Sequence, residues 1–159
     1  VKRVQLCMQL TGTDARFGIF MIYGRILHTK LQHGSGRMVI GTGIDIIEVE
    51  RVKKATEKPA FLKMVFTPAE QAYFERFNFE PQTIAGTFAA KEATAKALSV
   101  GFRGIKWTDI EVLHDENGKP YATLQNAALS RMRELMGKTV HVSISHIKQL
   151  AVAQAIVED

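Results

Sequence analysis

The fold of this chain is decided by residues 39–47, which read Val39-Ile40-Gly41-Thr42-Gly43-Ile44-Asp45-Ile46-Ile47. The apolar residues predict a buried strand, and the two glycines allow another backbone to approach it closely. Asp45 is the only charged residue of the stretch, and burying an unpaired carboxylate is costly unless it lies at the strand's end or binds a cation. Two interpretations of Asp45 follow: a cap for the helix that begins after it, or a metal ligand.

The segments that follow carry start and stop signals for helices. A charged helix is predicted over 48–57. Thr67 and Glu70 form a capping box, with a proline at the first helical position, and start a helix that reaches about Phe77. The strongest helix signal of the chain, rich in alanine, runs over about 82–98.

The remainder of the chain is dominated by strand signals. Residues 109–113 and 121–124 flank an Asn-Gly turn, which predicts a hairpin. Asn126 is predicted to cap a helix that stops at Gly137. The last two strands are predicted at 141–145 and 150–157. The order β-α-α-α-β-β-α-β-β indicates an α+β domain with antiparallel strands and one long central helix.

Charge separates the start of the chain from the rest. The 159 residues carry a formal net charge of +5, but residues 1–37 hold six Lys/Arg against one acid, whereas residues 38–159 hold 15 of each sign. Residues 32–37 have the composition of a flexible linker. We therefore predict one folded domain over 38–159. Residues 1–37 are predicted to be an extension of unknown role, either a genuine appended element or an upstream addition that is not native.

The same composition excludes several classes of protein. The neutral body, without an aromatic and basic stripe, argues against nucleic-acid binding. The sequence contains no run of about 20 apolar residues that would span a bilayer. Cys7 is the only cysteine, which excludes an intramolecular disulfide and a cysteine zinc cluster and indicates a reducing, cytoplasmic setting.

The long helix carries a carboxylate and an amine on one face. Glu92 and Lys96 are four residues apart, and Ala85 and Ala89 on the same face would leave room for a ligand. Two carboxylates from different elements, Asp45 and Glu92, with space for water and phosphate oxygens, are what Mg²⁺ requires. Taken alone, the spacing is more typical of an ordinary surface pair, worth about 0.2–0.5 kcal/mol. The opposite stripe is predicted to pack in the core: Ile84, Phe88, Ala95 and Leu98.

Two further segments contain residues with possible chemistry. Ser143 and Ser145 precede His146 at the end of a predicted strand, and this cluster could hold phosphate or take up a proton near neutral pH. Taken alone, a histidine at a turn more often has a structural role. Gly101 and Gly104, just after the long helix, hint at a loop close to a bound nucleotide.

Four segments in this order resemble the motifs of one family, the acyl-carrier-protein synthase group of 4′-phosphopantetheinyl transferases: 41–46, 88–97, 117–120 and 141–146. The resemblance covers essentially all of residues 38–159 and none of 1–37. It implies the α+β fold of these transferases. It also implies a magnesium-dependent enzyme that moves 4′-phosphopantetheine from coenzyme A to a serine of apo-acyl carrier protein, releasing adenosine 3′,5′-bisphosphate, in support of fatty acid biosynthesis.

The resemblance also implies roles for individual residues. Asp45 and Glu92 would hold Mg²⁺, Arg51 would face the acidic carrier protein, and the base that deprotonates the serine would be His146 or a water held by the metal or a carboxylate. Lys96 and His146 would be catalytic. Coenzyme A would be bound by Lys91, Lys96, Gly101, Ser145 and His146. The single-unit length implies a homotrimer with active sites between neighbouring subunits.

Two departures from the family pattern concern coenzyme A contacts rather than the reaction. Thr87 stands where the family usually has arginine, and Ser99-Val100-Gly101 replaces a commoner Gly-Thr-Gly. Two rival functions are kept: a nucleic-acid binder that uses the basic extension, and a metal-dependent nucleotide hydrolase in which water replaces the carrier serine.

Overall fold

The computed structural model describes the backbone of residues 18–22 and 25–29, and residues 37–159. The chain divides into two units between Gly36 and Arg37, close to the boundary predicted at Met38. In the first unit, strands β1 (Gly18–Ile22) and β2 (Arg25–Thr29) pair in antiparallel register. The role and authenticity of residues 1–37 stay predictions.

The second unit has the α+β composition predicted from the sequence, which is confirmed. Its strands are β3 (Val39–Glu48), β4 (Ile110–His114), β5 (Pro120–Leu124), β6 (Thr139–His146) and β7 (Leu150–Glu158). Its helices are α1 (Val49–Thr56), α2 (Pro59–Val65), α3 (Pro68–Arg76), α4 (Pro81–Ala97) and α5 (Asn126–Glu134). All pairs among these strands are antiparallel, as predicted.

Local signals predicted most of these elements. The capping box of α3 is complete, since the Thr67 side chain accepts from the Glu70 backbone N–H and the Glu70 carboxylate accepts from that of Thr67. Helix α2 was not predicted, because its N-cap residue Lys58 makes no capping hydrogen bond and its only start signal is Pro59. A helix therefore lies where a connection was expected between α1 and α3.

Both ends of α5 differ from the prediction. Asn126 is not the N-cap; Gln125 takes that position, and the Asn126 side-chain amide donates to Asp109 Oδ1 at 3.0 Å. At the other end, Met136 and not Gly137 has the left-handed backbone (φ 62) that is common just after a helix. Glycine at position 137 is required by packing instead, because a Cβ there would lie 2.6 Å from Val157 Cγ1.

The central sheet has the strand order β3-β7-β6, and β4 and β5 form a separate hairpin. Helix α4 approaches the central sheet most closely at Gly41 and Gly43 of β3, which have no side chains. A Cβ on Gly41 would lie 2.1 Å from the carbonyl oxygen of Ala97, and one on Gly43 would lie 2.0 Å from that of Ala93. Alternate residues of a strand share a face, so Asp45 is the next side chain directed at α4.

Helix α4 is buried on nearly all sides, between the central sheet on one side and the α1–α3 region on the other. Ala85 and Ala89, expected to leave room for a ligand, are completely buried, because small residues here let the neighbouring elements approach. That part of the prediction is wrong. In the part of the chain that the structure describes, no helix has the length and hydropathy to cross a membrane.

Replacing Gly43 with alanine is expected to destabilise the protein by about 3 kcal/mol or more, because the new methyl group would meet backbone atoms that cannot move aside. Gly86→Ala is the matched control: its Cβ would meet a side-chain atom, Cγ2 of Ile144 at 2.8 Å, and no backbone atom of another element, and alanine favours a helix, so a smaller loss is expected. Urea unfolding measures both. Equal losses of stability would contradict the close contact of β3 with α4.

Candidate functional site

Asp45 and Lys96 form an ion pair between β3 and α4. The Lys96 ammonium donates to Asp45 Oδ1 at 2.7 Å and to the carbonyl oxygen of Ile44 at 3.0 Å. The Asp45 side chain is 13% exposed and that of Lys96 is 46% exposed. Glu48, not Asp45, takes the N-cap position of α1, so the interpretation of Asp45 as a helix cap is wrong.

Glu92 is half-buried beside this pair. Burial raises the pKa of Glu92 above its ordinary value, the negative charge of Asp45 raises it further, and Lys96 opposes both. Among the ion pairs of residues 37–159, Lys96 joins Asp45 rather than Glu92, so the ordinary surface Glu–Lys pair is not what the structure has. Two carboxylates from different elements therefore face one ammonium group.

Asp45 and Glu92 line a common cleft of about 380 Å³. Arg51 from α1 also lines it, so three of the predicted site residues meet there. The other lining residues are apolar: Ile46, Ile47, Val52, Ala55, Phe61 and Phe88. The cleft thus has an apolar part and a charged part, and the two carboxylates of the charged part fit a cation.

Two aromatic residues of the cleft were not predicted to lie there. Phe88, predicted to pack in the core, is only partly buried, and its ring stacks on Trp107 with centroids 4.8 Å apart. Phe61 lies 6.2 Å from Phe88, centroid to centroid, and belongs to the unpredicted helix α2. Apart from Pro59, the hydrophobic Phe61-Leu62 pair was the available signal for this helix.

Lys91, predicted to bind coenzyme A, is instead buried in an ion pair. Its side chain and that of Glu70 are both 0% exposed, and the Lys91 ammonium lies 2.8 Å from Glu70 Oε2. The ammonium also donates to the carbonyl oxygens of Trp107 (3.0 Å) and Ile110 (2.6 Å). All three of its donors are used inside the protein, so the prediction for Lys91 is wrong.

The partner carboxylate is equally well satisfied. Glu70 accepts from the backbone N–H groups of Thr67 and Val112, each at 2.7 Å, besides Lys91. Burial raises the pKa of Glu70 and lowers that of Lys91, while the attraction between the two charges opposes both shifts. The complete set of hydrogen bonds favours the charged forms. This pair joins α3, α4 and β4.

Ser145 and His146 lie at the end of β6, apart from the cleft. Strand β7 separates β6 from β3, which places them roughly 10 Å, two strand spacings, from β3. A Cβ on Gly86 of α4 would meet Ile144, so Ile144 faces the helix and Ser145 points to the opposite face of the sheet. Within residues 37–159, no hydrogen bond joins His146 to Asp45, Glu92 or Lys96. The roles predicted for Ser145 and His146 stay predictions.

Gly101 lies in the loop between α4 and β4. It has a left-handed backbone (φ 55), and no heavy atom outside its immediate neighbours lies within 4 Å of a Cβ built on it. Glycine is therefore required here by the backbone rather than by packing. The predicted contact of Gly101 with coenzyme A stays a prediction.

Comparison with known proteins gives consistent results. A sequence model of the 4′-phosphopantetheinyl transferase superfamily matches residues 41–154. A holo-[acyl-carrier-protein] synthase of Clostridium tetani is 49% identical over 122 residues, 76% of this chain and 97% of the relative. The crystal structure of the Neisseria meningitidis holo-[acyl-carrier-protein] synthase has a TM-score of 0.69 at 32% identity, covering 77% of this chain and all of that one (100%). That of Bacillus anthracis, solved in complex with coenzyme A (3′,5′-ADP), has a TM-score of 0.64 at 35% identity, covering 77% and 98%.

Lys91→Met is expected to destabilise the protein by about 3–5 kcal/mol at neutral pH, because it leaves the Glu70 carboxylate buried without its partner. Lys91 is the main charge that lowers the pKa of Glu70, so in the variant this pKa rises further above that of an unfolded glutamate, about 4.3. The folded variant then binds the proton more tightly than the unfolded chain. Its loss of stability should therefore grow as pH rises and shrink as pH falls.

Urea unfolding between about pH 4 and pH 8 measures this dependence. The double variant Lys91→Met/Glu70→Leu is the control, because it removes both charges and should recover much of the stability at neutral pH. A loss that is the same at every pH would contradict a charged Glu70 in the folded protein.

Proposed function

This chain belongs to the 4′-phosphopantetheinyl transferase superfamily, and on that premise we propose that Asp45 and Glu92 form the reaction centre of the cleft. The reaction is that of a holo-acyl-carrier-protein synthase: 4′-phosphopantetheine moves from coenzyme A to a serine of apo-acyl carrier protein, and adenosine 3′,5′-bisphosphate is released. The observation that carries the site assignment is the presence of two carboxylates from different elements in one cleft.

The chemistry of these two residues fits Mg²⁺. Carboxylate oxygens are the hard ligands that this ion prefers, and one or two carboxylates with substrate phosphates are its usual protein environment. The effect of Asp45 on the pKa of Glu92 indicates that the two negative charges lie close enough to repel each other. When bound, Mg²⁺ would neutralise the diphosphate of coenzyme A and stabilise the charge that develops on it.

The protein's own residues supply the remaining functions. Lys96, beside Asp45, offers a positive charge to the phosphates. His146, or a water held by a carboxylate, takes the proton from the carrier serine. The serine oxygen attacks the β-phosphorus of coenzyme A, a new O–P bond forms, and the bond to the bridging oxygen of 3′,5′-ADP breaks. Positioning and charge stabilisation account for most of the rate.

The position of His146 supports a homotrimer with shared active sites. His146 and Ser145 lie two strands away from Asp45, so a neighbouring copy would supply the histidine if His146 is the base. The face of the central sheet away from α4 offers a contact surface, because Ile44 and Ile46 on that face are 64% and 63% exposed. The trimer would cover these side chains.

Arg51 supports docking of an acidic carrier protein at the cleft. It lines the cleft from α1, the helix that directly follows the strand of Asp45. Its neighbours Lys53 and Lys54 lie 4.0 and 3.9 Å from the carboxylate of Glu50, which partly neutralises them. A role in fatty acid biosynthesis and a cytoplasmic location belong to the same proposal, supported by the reaction and by the single cysteine.

Asp45→Ala and Glu92→Ala are each expected to abolish most transfer with the fold intact, because each removes a hard oxygen ligand. His146→Ala should slow the chemical step. Mass spectrometry of an apo-carrier protein, incubated with coenzyme A and Mg²⁺, detects the added phosphopantetheine. Glu50→Ala is the matched control, since its exposed carboxylate does not line the cleft. Near-normal transfer at low Mg²⁺ would exclude the altered residue as a ligand, and 3′,5′-ADP release without carrier would indicate a hydrolase.

Arg51→Glu is expected to raise the KM for the carrier protein strongly and to leave the KM for coenzyme A nearly unchanged, because a rim charge mainly governs the encounter with a charged partner. The loss of activity with added salt should also flatten. Steady-state kinetics measure both KM values. Lys53→Glu is the control, because it makes the same charge change outside the cleft. A higher KM for coenzyme A with unchanged carrier affinity would mean that α1 faces the nucleotide.

Ile44→Asp is expected to convert the protein to monomers with little transfer activity, because it places a charge in the proposed contact surface. Met136→Asp is the matched control, because Met136 is a 66% exposed apolar residue that follows α5 and does not belong to this face of the sheet. Sedimentation equilibrium gives the oligomeric state. A trimer that survives Ile44→Asp would place the subunit contact elsewhere.

A further inference from the structure

The Lys96 ammonium contacts Asp45 at a carboxylate oxygen that a bound metal ion would also use. It donates to Asp45 Oδ1 at 2.7 Å, and its second bond, to the carbonyl oxygen of Ile44, holds it over the end of that carboxylate. Asp45 is largely buried, and the ammonium occupies one of its two carboxylate oxygens, Oδ1. A cation that binds Asp45 through Oδ1 has to displace this ammonium.

The charges of the site make the Lys96 ammonium and a divalent cation compete for Asp45. Asp45 and Glu92 carry two negative charges, and Lys96 is the positive group that pairs with them among the described residues. An ammonium and a divalent cation on one carboxylate would repel each other, because they would lie within a few ångströms. Binding of one therefore weakens binding of the other.

Lys96 is also able to leave without disturbing the fold. Its side chain is 46% exposed, and its four-carbon stem is flexible. Lys91, five residues earlier on the same helix, is the contrast: its ammonium has three partners inside the core and no exposure. Of these two lysines, only Lys96 can exchange partners at low cost.

We propose that Lys96 is an exchangeable counter-ion of Asp45: its ion pair and a divalent cation on this carboxylate exclude each other, and the displaced ammonium becomes available to phosphate. The proposal rests on the proposed function, since it requires Asp45 to be a metal ligand. It predicts that removing Lys96 has opposite effects on two properties. Transfer slows because phosphate loses a positive charge, whereas the metal binds more tightly because nothing has to be displaced.

The test measures Mn²⁺ binding to the full chain without coenzyme A or carrier. Electron paramagnetic resonance detects the Mn²⁺ that remains free. Lys96→Met and Lys96→Gln are each expected to bind Mn²⁺ about fivefold or more tightly than the natural protein. Lys53→Met is the matched control, because it removes an equal charge from an exposed position outside the cleft, and it should leave the affinity nearly unchanged.

Unchanged or weaker Mn²⁺ binding in both Lys96 variants would overturn the proposal, because Lys96 would then be independent of the metal or assist it. Tightening of equal size in Lys53→Met would also overturn it, since net charge alone would explain the effect. Asp45→Asn separates this proposal from the proposed function. If Asp45→Asn binds Mn²⁺ as well as the natural protein, the metal site itself is wrong; if it binds weakly and the Lys96 variants do not bind tightly, only the exchange is wrong.

Discussion

The contact between β3 and the backbone of α4 is the constraint on which the site depends. Gly41 and Gly43 present no side chains to the helix, so the two backbones meet directly. The strand and the helix are thereby fixed in height and register, and Asp45, the next residue on that face, is brought to Lys96 and Glu92. Any larger residue would push the strand away and separate the carboxylates. The two glycines thus position the charged groups without contributing a side chain to the site.

Helix α4 serves the core and the site with adjacent residues. Lys91 and Glu92 point about 100° apart, as consecutive helical residues do, so one is sealed in the interior and the other reaches the cleft. The two side chains differ in how their charges are balanced. Lys91 has fixed partners for all its donors, whereas burial and the charge of Asp45 raise the pKa of Glu92. The small residues around them allow the close packing that makes both environments possible.

The sequence predicted what local signals determine. The glycine-containing strand, the capping box at Thr67 and the alanine-rich helix all lie where they were expected, because each depends on a few neighbouring residues. The pairing of Asp45 with Glu92 in one cleft was also predicted. Lys91 was misassigned because a motif gives the order of residues but not which side of a helix meets the core. Helix α2 was missed because tertiary packing, rather than caps, defines it, and Phe61 was missed with it.

The buried pair of Glu70 and Lys91 limits how this chemistry can be moved to another protein. A designer who copied only β3 and α4 would transplant Asp45, Glu92 and Lys96, but would also bring a lysine without its carboxylate and without the carbonyl groups of Trp107 and Ile110. The graft would need α3 and the start of β4 as well, although neither contributes a wall to the cleft. The smallest portable unit of the site is therefore much larger than its list of functional residues.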